Sequence, residues 1–248
     1  MQLKQSRKVH CISTMIGKTM IGKTEEEDRL VASPFLFRFA IPCLRHDSGW
    51  SKKGIQLSEK FTLPCFGLLD KTNPKSVQAW AEIRAAWNPA GIILNARVTG
   101  KRQPPWCRAS RIEESDGIAV WINTRNTSQI HRASRFCHEF CFLPSGAGTK
   151  LNEPVAKQLA IQRAKENVAI HESSPPLIRS ERRVDGYLLE AFIPADTLTG
   201  YNPDEHNQIG FHYVVNDREM GQHVITVGQP FPCDSDPSLW STLELIDQ

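Results

Sequence analysis

Residues Asp116-Gly-Ile-Ala-Val-Trp-Ile-Asn-Thr-Arg-Asn126 change character at every second position. Ile118, Val120 and Ile122 form one set, and Ala119, Trp121 and Asn123 form the other. Successive side chains of a strand point to opposite faces of a sheet. The aliphatic set needs a hydrophobic core beneath it. The other set places an indole beside an amide, which suits a second packed layer or a surface that grips a flat polar ligand.

The same period recurs along the chain. Ala81 to Trp87 and Ile92 to Val98 flank Asn88-Pro-Ala-Gly91, a hairpin in sequence form. Arg135 to Phe142 sets Phe136, His138, Phe140 and Phe142 on one side, which reads His138 as a core residue. Gly186 to Ile193 stops at Pro194, which cannot donate to a ladder, and Ala195 to Leu198 reads as a single helical turn. Ile209 to Val215 aligns Phe211, Tyr213 and Val215, and Leu239 to Ile246 closes the chain. Asn152 to Asn167 carries helix formers, an Asn cap and Pro154 in a first turn. The surrounding pattern asks instead for a strand near Gln158 to Arg163, and tertiary pairing overrides propensity. The expected class is all-β: an antiparallel β-sandwich of jelly-roll type with a disordered N-terminal tail.

Length and charge narrow the rest. The 248 residues suit one β-rich domain of about 200 residues with something left over, here divided as 35–248 and an extension 1–34. That extension is read as disordered, or as a translation start placed too far upstream. It holds the tandem repeat Met15-Ile-Gly-Lys-Thr19 and Met20-Ile-Gly-Lys-Thr24, which creates a G-x-x-x-x-G-K-T match. A phosphate loop needs a strand before it and a helix after it, and the flanks here are polar and acidic. No secretory signal is read in it. The net charge is +3, with 30 basic residues spread among 27 acidic ones, which argues against nucleic acid as a partner. No apolar run reaches the about 18 residues needed to span a membrane. Seven cysteines at irregular spacing, without C-x-x-C, read as buried reduced thiols, and these favour a cytoplasmic address.

Four blocks occur in a fixed order: the Asp116 strand, Gly186-Tyr-Leu-Leu-Glu-Ala-Phe-Ile-Pro194, Ile209-Gly-Phe-His-Tyr-Val-Val-Asn-Asp217 and Leu239-Trp-Ser-Thr-Leu-Glu-Leu245. Over residues of about 75–247 this order resembles carbohydrate-binding module family 9 and the wider DOMON-like group of sandwiches. The resemblance implies a non-catalytic β-sandwich that recognises a saccharide or glycan, linked to carbohydrate catabolism. It also implies two tryptophans on loops that clamp a sugar. One would stand just before the acidic residue that opens the strand, where this chain has Glu113-Glu-Ser115. The other would follow the Asn-Asp block, where Phe231 is the nearest aromatic.

Sugar chemistry then selects candidates. Aromatic faces stack on the C–H side of a pyranose, and planar polar groups satisfy its hydroxyls in pairs. Trp106 follows two prolines in a loop rich in arginine, and Trp121 shares its strand face with Asn123. Arg125, His131, Arg132 and Arg135 make the turn after that strand rich in donors. Asn216 and Phe231 complete the expected ligand contacts. The Asn216-Asp217 turn admits a calcium ion, or plain turn chemistry.

Three rival readings stay open. One is a haem-binding DOMON-like electron-transfer domain using Met220 with His212 or His223. Another is a sandwich that recognises a partner protein without sugar. The third is a glycosidase, for which Glu139, Glu190 and Asp217 can be nominated, although nothing in the sequence pairs two of them. No G-x-S-x-G or H-E-x-x-H is present.

Overall fold

The computed structural model describes residues 40–65, 79–127, 129–170, 174–228 and 230–247. The 1–34 extension, with its tandem repeat and Cys11, lies outside the described residues. The strands are β1 (Ala40–Leu44), β2 (Ala81–Asn88), β3 (Gly91–Val98), β4 (Gly117–Asn123), β5 (Cys137–Ala147), β6 (Glu153–Leu159), β7 (Leu177–Arg183), β8 (Gly186–Pro194), β9 (Gln208–Asp217), β10 (Gly221–Val224) and β11 (Ser241–Ile246). A seven-stranded sheet runs β1-β11-β9-β4-β5-β6, with β10 on β9, and a four-stranded sheet runs β2-β3-β8-β7. Every pairing is antiparallel except β1 with β11, which is parallel. The sandwich is therefore mixed at that edge rather than wholly antiparallel.

The alternation read from the sequence becomes the core. Ile118, Val120 and Ile122 of β4 join Phe140, Phe142, Phe211, Tyr213 and Val215 on the inner side of the larger sheet. Ile83, Ala85, Ile92, Leu94, Leu189 and Ile193 face them from the smaller one. Fully burying one such side chain is worth about 1.5–3 kcal/mol, so this shared layer dominates folding. His138 is wholly buried, stacked on Phe140 at 6.1 Å, with its Nδ1 3.3 Å from Gln158. Ala195–Thr197 forms the expected short turn after Pro194. The described cysteines carry free thiols.

The segment with helical chemistry is a strand, but an earlier one than expected. β6 covers Glu153–Leu159, so only Gln158 and Leu159 of the expected Gln158–Arg163 stretch belong to it. It pairs with β5 through Val155, Ala156 and Lys157, and β5 is its sole neighbour in the sheet order. Pro154 is tolerated because an edge strand leaves one row of N–H positions without a ladder partner.

A strap covers the outer face of the four-stranded sheet. Ile55, Leu57 and Phe61 pack on Ala86, Ile93 and Phe192, and Trp50 stacks on Phe192 at 6.3 Å. Asn95 fixes the strap's register: it accepts the Leu57 N–H at 2.7 Å and donates to the Ile55 carbonyl at 2.9 Å. At Gly54, where φ is +74°, a Cβ would come 1.6 Å from a Glu190 carboxylate oxygen, and both the backbone and that contact favour glycine. Covered on both sides, β3 and β8 are apolar at nearly every position.

Candidate functional site

The outer face of the seven-stranded sheet is built differently. Gly117, Ala119 and Trp121 of β4 point outward beside Glu139 and Cys141 of β5 and Val214 and Asn216 of β9. Two small residues next to an indole leave a hollow. The segments 112–115 and 230–235 wall it, giving a cleft of about 580 Å³. Gly117 also lets the strand approach its neighbour, because a Cβ there would lie 2.4 Å from the Phe142 carbonyl oxygen.

Strand register sets the chemistry of the cleft. Trp121 pairs with Glu139 on one side and His212 on the other. Trp121 is 5% exposed and packs with Ala133, Cys137, Ile161 and Trp240. Burial pushes the Glu139 carboxyl up to about 7, the nearby Trp121 indole opposes this, and Glu113 and Asp234 add to the rise. Asn216 accepts from Gln222 at 2.9 Å, so two side-chain amides share the wall. Phe231 is 45% exposed at the rim. His212 is fully buried beside Trp121, and desolvation holds it neutral, at about 3.

A second cleft of about 610 Å³ lies beside the strap. Its lining is mostly polar, and its Arg45 is tied to Asp47 and Asp247. Volume does not separate the two clefts, since both fall in the range of about 300–1,000 Å³ usual for ligand sites. The cleft on the larger sheet combines aromatic and amide groups and is the better candidate.

The expected site residues divide. Trp121, Asn216 and Phe231 line the cleft. Trp106 sits at the start of β4, where its N–H bonds Asp116, and the Arg218 guanidinium lies 3.4 Å above its ring, with Arg108 and Arg111 also over it. That stacked cation occupies the ring face a sugar would use. Asn123 ends β4 and Arg125 follows it, about 20 Å from the strand's start by strand rise. Asn123 is 2% exposed and accepts the Arg125 N–H. Arg125 and Arg135 both sit over Phe136. His131 contacts Asp236 and Ser238, and Arg132 donates to the carbonyls of Arg163 and Ala164. Trp106 and the arginine turn therefore do not share one concavity. His131 and Arg132 brace segments behind the cleft wall.

Residues 56–248 match the carbohydrate family 9 binding domain-like family. The chain belongs to that family. Its match reaches back into the strap, ahead of the start near residue 75 drawn from the motifs. A family 9 carbohydrate binding module from Caldicellulosiruptor kristjanssonii in complex with glucose superposes with a TM-score of 0.56 at 13% identity, covering 85% of this chain and 97% of that one. A family 9 module from the same organism in complex with cellotriose gives 0.55 at 13% identity, covering 85% and 95%. At that identity the likeness is one of fold. No curated protein matches the chain.

Within the family 9 domain both expected clamp positions border the cleft. Glu113 and Ser115 stand at the first and Phe231 at the second, and neither position carries an indole. The calcium reading of the Asn216-Asp217 turn is replaced by an internal cation. The Lys101 Nζ is buried 2.5 Å from Asp217 and 3.3 Å from Asp116. Burial pulls the pKa of Lys101 down, but these carboxylates outweigh it and hold the pKa above its ordinary value. Among the described residues no three metal-ligating side chains gather. The haem ligands are likewise set apart. His212 faces outward beside Trp121, whereas His223 lies inward between Trp80 and Tyr213, and Met220 lies near Gly100. The nominated acids also diverge: Glu139 is in the cleft, Glu190 binds Arg179 and Asp217 binds Lys101.

Glu139, Gln222 and Asp234 were not among the expected contacts. For Glu139 a signal was present: it alternates against the phenylalanine face of its own strand. For Gln222 and Asp234 no local pattern existed, because the tertiary fold alone brings their segments to β4.

Proposed function

We propose that this family 9 domain binds a saccharide in the cleft on the seven-stranded sheet and performs no catalysis. The observation that carries this is the convergence of Trp121, Phe231, Asn216 and Gln222 on the one cleft that both clamp positions border. An aromatic edge and rim suit the apolar side of a pyranose, and paired amides suit its hydroxyls. The neighbours in complex with glucose and cellotriose support a gluco-configured ligand.

Calorimetric titration of the full chain with glucose, cellobiose and cellotriose tests the reading. Binding is expected, with Phe231→Ala weakening it about tenfold through lost stacking, which is about 1.4 kcal/mol. Absence of heat with every mono- and oligosaccharide tried would falsify sugar binding. A carboxyl raised in pKa is also a device of glycoside hydrolases. The family assignment favours binding, and oligosaccharides recovered intact after prolonged incubation are the expected result. Release of reducing ends, abolished by Glu139→Gln, would favour an enzyme instead.

A further inference from the structure

We infer that the cleft admits neutral and aminated saccharides and excludes uronic acids and other carboxylated sugars, with Glu139 as the residue that sets the preference. This rests on the sugar-binding reading above. The cleft is the site, and its charges decide which sugars enter.

Three carboxylates face the hollow from three different segments. Glu139 comes from β5, Glu113 from the short 3-10 segment Ala109–Glu114 before β4 and Asp234 from the loop before β11. Arg163 is the basic side chain among the described lining residues, and exposed Lys157 lies beside Cys141 on the edge strand. The remaining cations nearby are engaged elsewhere: Arg108, Arg111 and Arg218 over Trp106, and Arg132 on backbone carbonyls. His212 behind Trp121 stays neutral, and burial pushes the Cys141 thiol beside Glu139 up to about 12, so neither adds charge at pH 7.

Glu139 is the most desolvated of the three acids, and Glu113 and Asp234 already oppose its ionisation. A ligand that covers it removes more water. An ionised carboxylate has only acceptor sites, so the covering group must donate. Sugar hydroxyls donate, and a hexosamine ammonium donates with a compensating charge. A sugar carboxylate can do neither, and like charges brought together in a desolvated cleft repel strongly.

The test compares glucose, glucosamine and glucuronate by calorimetry at pH 8 and low salt, where the Glu139 carboxyl is mostly ionised. The expected order is glucosamine at least equal to glucose, and glucuronate weaker than glucose by about tenfold or more. In Glu139→Gln, with its melting temperature checked, glucuronate should come within about threefold of glucose. Lowering the pH of the wild-type protein from 8 to 6 should narrow the same gap, which gives a readout that does not depend on the variant. Equal binding of glucose and glucuronate by the wild-type protein overturns the inference and leaves sugar binding intact. A gap that survives Glu139→Gln but closes in Glu113→Gln or Asp234→Asn removes Glu139 from the role. No response to any of the three sugars overturns both the inference and the reading beneath it.

Discussion

The two outer faces of this sandwich share a core and diverge at their surfaces. On the four-stranded sheet the outward residues Ala86, Ile93 and Phe192 are apolar, and the strap seals them with Ile55, Leu57 and Phe61. On the seven-stranded sheet the outward positions alternate small with polar, Gly117 and Ala119 beside Glu139 and Asn216, and a cleft remains. An apolar outer face is driven to find cover. A face with missing side chains and unsaturated polar groups stays open to a ligand. Within one architecture, the identity of a few outward residues decides which side is sealed and which keeps a cleft.

The largest expected effect breaks the sealed side. Phe192→Ala removes the platform under Trp50 and should cost about 3–5 kcal/mol in urea unfolding. Saccharide affinity of the folded fraction should stay the same. A loss of affinity with stability intact would show that the strap side, not the cleft, holds the ligand.

Acid should act on the seven-stranded sheet, through His212 on its outer side and His223 on its inner side. Burial holds His212 at about 3 and His223 at about 4, both below the ordinary 6.5. Between those values and 6.5 the unfolded chain binds protons that the folded chain refuses, so their contribution to stability is complete above pH 6.5 and is lost as pH falls toward 4 and then 3. Glu139, raised to about 7, works in the opposite sense over pH 7 to 4.5, so the combined slope is smaller than the histidines alone would give. Melting temperatures measured stepwise from pH 7.5 to 4 should fall, and His212→Phe should flatten the curve. A flat wild-type profile contradicts the neutral buried pair.

The smallest effect sharpens the site's edge. Trp106→Ala exposes the three arginines that sit over its ring, and removing each cation–π pair should cost about 1 kcal/mol or less. Saccharide affinity should not change. A tenfold weakening would return Trp106 to the binding surface.

Much of the body was legible because alternation is a local property. Ile118, Val120 and Ile122 need no partner to declare an inward face, and Asn88 to Gly91 declares a turn. The fold and family followed from four ordered blocks. The site was less legible. Trp106 in its arginine-rich loop looked available, yet Arg218, more than a hundred residues later, closes its face. Asp217 looked able to hold calcium, yet Lys101 fills that place. β6 ran against its own helical chemistry because β5 offered an edge to pair with.

The sequence alone determined which side chains face inward, where the chain turns and which family it joins, since period-two patterning and turn residues act over a few positions. The tertiary structure alone decided that the segments 112–115 and 230–235 wall the same hollow as Trp121 and Glu139. That convergence depends on the registers of β4 with β5 and β9, strands brought together across long stretches of chain. Their pairing is set by the burial of the whole core rather than by any residue's immediate neighbours.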